Sequence, residues 1–63
     1  MTKDQYFEAM RLCIYGKAWQ QYLNFRRDAL KAKTISQNDI RRLIHQLPEE
    51  TKITYLGYFR QLW

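Results

Sequence analysis

The sequence predicts a mainly α-helical fold closed as a small homodimer, with a short C-terminal strand paired across the dimer as its one departure from helix. Three observations lead there. Apolar residues recur at steps of three and four through most of the chain. Two capping boxes mark helix starts, Thr2-Lys3-Asp4-Gln5 and Ser36-Gln37-Asn38-Asp39. Ten of the 63 residues are aromatic, and none lies between Arg26 and Thr54. A chain this short buries only about 60% of its extended surface, which leaves little interior for ten rings. Some of them must lie half exposed or be covered by a second chain.

The first helix is expected near residues 3–15, with Phe7, Met10 and Ile14 as its stripe and Tyr6 and Cys13 flanking it. Gly16 offers a stop, because glycine readily takes the left-handed conformation. The register nonetheless continues through Ala18, Tyr22, Phe25 and Ala29, so a second helix is expected over 17–32. A single helix from Lys3 to Lys33 would measure about 46 Å, and whether the chain bends at Gly16 stays open. After the β-branched pair Thr34-Ile35, Ser36 caps a helix over 37–46. Ile40, Leu43, Ile44 and Leu47 form one face of it, and Arg41, Arg42 and Gln46 the other. Leu47-Pro48 ends that helix, since the residue before proline avoids helical angles.

Residues 49–63 read two ways. Pro48-Glu49-Glu50 looks like a helix start, and Ile53, Leu56, Arg60 and Trp63 keep helical spacing. Residues 53–59 are rich in β-branched and aromatic side chains, and as a strand would place Ile53, Tyr55, Gly57 and Phe59 on one face. A lone strand needs a symmetry mate, so the strand reading carries a dimer with it. Trp19→Ala and Phe59→Ala are both expected to lower stability, by about 3–5 kcal/mol for a fully buried ring.

Composition narrows the class. The length allows one domain, residues 1–63. A lone Cys13 excludes an intrachain disulfide and fits a reducing cytoplasm. Asp4, Glu8 and Arg11 interrupt any signal-peptide core, and no apolar run approaches the roughly 18 residues of a membrane span. The net charge of +5 favours an acidic partner, either nucleic acid or an acidic protein face.

Catalytic chemistry is thin. Ser36, Asp39 and His45 are triad residue types, but capping accounts for the first two and a helix C-terminus for the third. Cys13 sits among Met10, Ile14 and Tyr6, where it packs as a small hydrophobe. Glu49 and Glu50 diverge by about 100° on a helix. There is no metal-ligand spacing and no glycine-rich phosphate loop, so no enzyme, metal or cofactor is expected. Residues 37–46 and 49–62 suggest a DNA-binding helix-turn-helix, but Glu49 and Glu50 would then face the bases. Arg26, Arg27, Arg41 and Arg42 remain as a basic patch for nucleic acid.

The opening MTKDQYFEAMRLCIYGKAWQQYL, the middle KTISQNDIRRLIHQLPEE and the length of 63 residues together carry a resemblance over the whole chain. It resembles the small early open-reading-frame proteins encoded between exo and xis in phage lambda and related temperate phages, Shiga-toxin phages included. The resemblance implies an early regulatory protein in the host cytoplasm that biases infection toward lysis and against lysogeny. It also implies a dimeric, mainly helical fold with a short strand, and it brings no catalytic residues or cofactor. The expected activity is binding of a host or phage protein. The expected site is an apolar groove lined by Phe7, Met10, Tyr22, Leu43, Leu56 and Trp63, suited to an amphipathic helix with acidic flanks.

Overall fold

Four helices account for the computed structural model, which describes residues 1–60: α1 (Lys3–Tyr15), α2 (Trp19–Lys31), α3 (Gln37–His45) and α4 (Glu49–Phe59). Both capping boxes form. The Thr2 hydroxyl accepts from the Gln5 amide at 3.2 Å, and the Gln5 side chain accepts from the Thr2 amide at 2.8 Å. At α3 the Ser36 hydroxyl accepts from the Asp39 amide at 3.2 Å, and the Asp39 carboxylate accepts from the Ser36 amide at 2.9 Å.

The first long helix does not run through Gly16. It ends at Tyr15, and the turn lays α2 against α1. Gly16 itself keeps φ −84°, and the left-handed residue is Lys17, at φ 56°. The Lys17 amide donates to the Ile14 carbonyl and the Ala18 amide to that of Cys13, the paired bonds of a Schellman cap. The end of α2 repeats this device, with Lys33 at φ 59° and amides of Lys33 and Thr34 donating to Leu30 and Ala29. Lysine in that conformation carries a backbone penalty of about 1–2 kcal/mol that glycine avoids. Lys33→Gly is therefore expected to raise stability, read from a urea titration, by about 1 kcal/mol less what glycine adds to unfolded-chain entropy. Lys31→Gly, two residues earlier and helical, should lower stability by up to about 1 kcal/mol.

The core contains Tyr6, Met10, Cys13 and Ile14 of α1, Tyr22 and Ala29 of α2, and Ile40, Leu43 and Ile44 of α3. Ile35, Leu47 and Tyr55 complete it. The periodicity therefore reads α3 correctly, down to the exposed Arg41, Arg42 and Gln46, whereas on α1 the stripe residue Phe7 is half-buried and the flanking Tyr6 and Cys13 are buried.

The C-terminal segment is corrected. Residues 53–59 are helical, and there is no strand among the described residues. Helix satisfies its own backbone hydrogen bonds, whereas an isolated strand leaves a row of them unpaired. The Thr54 hydroxyl even bonds back to the Glu50 carbonyl, at 3.1 Å. The helical stripe also differs from the expected one. Tyr55 is buried, Phe59 and Leu56 are half-buried, and Ile53 is 61% exposed. The rings decide this register, because α4 meets α2 through them. Tyr55 lies edge-on to Tyr22, with centroids 5.5 Å apart, and Phe59 contacts Trp19, Tyr22 and Tyr55 at 5.1–5.6 Å. Trp19 and Tyr22 of the first aromatic group thus join Tyr55, Tyr58 and Phe59 of the second in one cluster. Trp19 and Phe59 are half-buried within it, so truncating either costs less than the roughly 3–5 kcal/mol of a fully buried ring.

Candidate functional site

The six residues expected to line one groove do not do so. Met10, Tyr22 and Leu43 are enclosed in the core, at 0%, 0% and 4% exposure. Phe7 and Leu56 are half-buried, and Trp63 lies outside the described residues. Phe7 and Leu43 of this set meet at a surface hollow. Helix periodicity identifies which residues turn inward, but it does not say whether a second helix of the same chain already covers them.

The four arginines are divided as well. Arg26 is half-buried on α2, where its guanidinium donates to the Gln37 side chain at 3.1 Å. Its Nε is enclosed with no hydrogen-bond partner among the described residues. Arg27 is exposed, donates to Asn24 at 3.4 Å and lies 4.0 Å from Asp28. Arg41 and Arg42 are exposed on α3.

Two surface features stand out instead. The first is a cleft of about 460 Å³ between the α1–α2 corner and the first half of α4, lined by Tyr15, Trp19, Ile53 and Glu50 among others. Tyr15 is 50% and Ile53 61% exposed, and Leu12, one turn before Tyr15, is 65% exposed. Tyr58 continues this surface by packing on Trp19, with centroids 5.0 Å apart. Leu12 and Tyr15 were legible as outliers. At 100° per residue Leu12 points away from the Met10 stripe, and no charge or turn role explains it.

The second feature is a hollow of about 140 Å³ between α1 and α3. Lys3, Phe7 and Arg11 succeed one another at steps of four along α1, facing Asp39, Arg42 and Leu43 of α3 and Gln46 just after it. Phe7 and Leu43 supply its apolar lining. Lys3 Nζ lies 3.3 Å from Asp39 Oδ1. The bond from the Ser36 amide, together with bonds from Lys3 and the Ser36 hydroxyl, holds the Asp39 carboxyl below the usual carboxylate range. Neither Arg11 nor Arg42 forms an ion pair among the described residues.

The residues of the hydrolytic types are otherwise engaged. Ser36 and Asp39 form the α3 cap, and His45 lies in the last turn of the same helix. Cys13 is 8% exposed, and burial pushes its thiol pKa up, which works against thiolate reactivity. Among the described residues no three histidine, cysteine or acidic side chains gather as a metal site, and no helix is long and apolar enough to cross a membrane.

Inside the core, the Tyr22 and Tyr55 hydroxyls hydrogen-bond to each other at 2.7 Å. Burial, and after it the bond to Tyr55, raises the Tyr22 phenol well above its ordinary value, and burial raises Tyr55 too. The nearby Arg26 guanidinium opposes both shifts without outweighing them. Compared with known proteins, the chain matches no family, no curated protein and no solved structure.

Proposed function

We propose that this chain is a non-catalytic regulatory protein that acts by binding another protein, and that it does so as a homodimer formed on the α1–α4 face. The observation that carries this reading is the surface made by Tyr15, Ile53 and Tyr58, each at least half exposed around the half-buried Trp19, with Leu12 exposed one turn before Tyr15. Contiguous apolar surface on a small protein marks an interaction site. Gly57 supports a second copy as its occupant. A glycine within a helix costs about 1 kcal/mol relative to alanine, and a Cβ here would meet nothing within 4 Å. Nothing among the described residues requires glycine at this position, whereas close approach of a partner helix would.

The resemblance to small early phage proteins supplies the setting of the proposal: binding of a host or phage protein in the host cytoplasm, favouring lytic development. Sedimentation equilibrium at micromolar concentration should give a mass near twice 7.8 kDa. Ile53→Glu should return it to the monomer value with helical circular dichroism retained, because a buried unpaired carboxylate opposes association. Host cells expressing the wild type should yield fewer lysogens on infection, an effect lost in this variant. A mass of 7.8 kDa throughout overturns the dimer, and an unchanged lysogen frequency overturns the phage role.

A DNA-binding reading keeps the α3–α4 pair in its favour. Against it stand Glu49 and Glu50 in the first turn of α4 and the engagement of Arg26 by Gln37.

A further inference from the structure

We propose that the hollow between α1 and α3 is a docking site for an acidic, amphipathic segment of a partner protein, taking one large apolar side chain between Phe7 and Leu43 and an adjacent carboxylate between Arg11 and Arg42. This rests on the reading of the chain as a protein-binding module, and it assigns a face separate from the proposed dimer surface.

Size sets the first limit. At about 140 Å³, the hollow matches a cavity that holds one benzene-sized group, about 150 Å³. It is well below the roughly 300–1,000 Å³ of cofactor and small-molecule pockets. One leucine- or phenylalanine-sized side chain is what it accommodates, so its occupant anchors by a single residue and needs further contacts around the rim. Those contacts are electrostatic. Three cations, Lys3, Arg11 and Arg42, face one carboxylate, Asp39. Asp39 is already bonded by Ser36 and Lys3, which leaves the guanidinium groups of Arg11 and Arg42 as the groups to complement. Arginine suits this role because its planar fork receives a carboxylate through two parallel bonds. The two arginines stand on opposite helices, so an acidic residue beside the anchor can reach one or both.

The same features favour protein over nucleic acid. An apolar floor of Phe7 and Leu43 offers nothing to a phosphate, and the Asp39 carboxylate repels one. Duplex binding also draws on rows of cations that neutralise several phosphates together. Here Arg26 is held by Gln37, and Arg27 lies beside Asn24 and Asp28.

The test is a random-peptide display selection on the immobilised full chain, followed by anisotropy titration of a synthetic copy of an enriched peptide. Enriched sequences should place Asp or Glu within one helical turn of Leu, Ile, Phe or Met. Arg11→Glu and Arg42→Glu should each weaken the peptide by about tenfold or more, with circular dichroism unchanged because both residues are exposed. Affinity should also fall with added salt. Enrichment without an acidic-apolar pattern, or peptides that bind both variants as well as wild type, overturns this site while leaving a protein-binding role and the dimer standing. Mixed-sequence duplex DNA that binds more tightly than the peptide, and is lost in the same two variants, overturns it in favour of nucleic acid.

Discussion

Tyr22→Ala is expected to leave most of the chain unfolded at room temperature. Tyr22 is fully enclosed, touches Tyr55 and Phe59 through its ring, and carries half of the one buried hydroxyl pair. Truncating a buried aromatic ring removes about 3–5 kcal/mol, and the orphaned Tyr55 hydroxyl adds about 1–3 kcal/mol. Against this, 63 residues at ordinary stability per residue amount to only about 3–9 kcal/mol in total. Far-ultraviolet circular dichroism and a urea titration would check it. A cooperative transition close to that of the wild type would show that the α2–α4 ring cluster does not hold the fold. Tyr22→Phe separates the ring from the hydroxyl. It should lose only about 1–3 kcal/mol, and the double variant Tyr22→Phe/Tyr55→Phe should recover part of that, because no buried hydroxyl is then left alone. For a dimer, each of these losses depends on protein concentration.

The second large effect is alkaline destabilisation. The Tyr22 and Tyr55 phenols have ordinary values of 10.0 and are both raised in the folded chain, by burial first. Below that value folded and unfolded chains both keep the protons, and the pair contributes its full stability. Above it the unfolded chain releases them while the folded chain does not, so stability falls as the pH rises toward the folded values. The slope is about 1.4 kcal/mol per pH unit for a tyrosine that keeps its proton only in the folded chain. Urea midpoints measured on either side of pH 10 should show this fall, and Tyr22→Phe/Tyr55→Phe should flatten it. Tyrosinate absorbance should show Tyr22 and Tyr55 ionising together with unfolding. All five tyrosines titrating before the helices melt would contradict the enclosed pair.

How far the residues alone carry this structure differs from helix to helix. The starts of α1 and α3 were legible because a capping box is local chemistry, completed within four residues. The buried face of α3 was legible too, since Ile40, Leu43, Ile44 and Leu47 form a clean stripe opposite charged residues. The end of α1 was half legible. Gly16 pointed to the right place, but the left-handed residue is Lys17, whose strain is offset by the amide bonds of the turn and by the packing of α2 on α1.

Only the tertiary structure decided α4 and the surface. Strand and helix were balanced over residues 53–59 because Ile53, Thr54, Tyr55 and Phe59 suit either. What tipped the balance lies more than thirty residues away, in the contacts of Tyr55 with Tyr22 and of Phe59 with Trp19. For the same reason Met10, Tyr22 and Leu43 became core while Leu12, Tyr15 and Ile53 became surface. Periodicity measures the angle of a side chain around its own helix, and burial depends on which other helix arrives at that angle. The hollow between Phe7 and Leu43 and its guanidinium groups from Arg11 and Arg42 are likewise products of two helices meeting. Local chemistry determined where this chain is helical at its first three elements, and the packing of rings across α2 and α4 determined the fourth and the surfaces left for a partner.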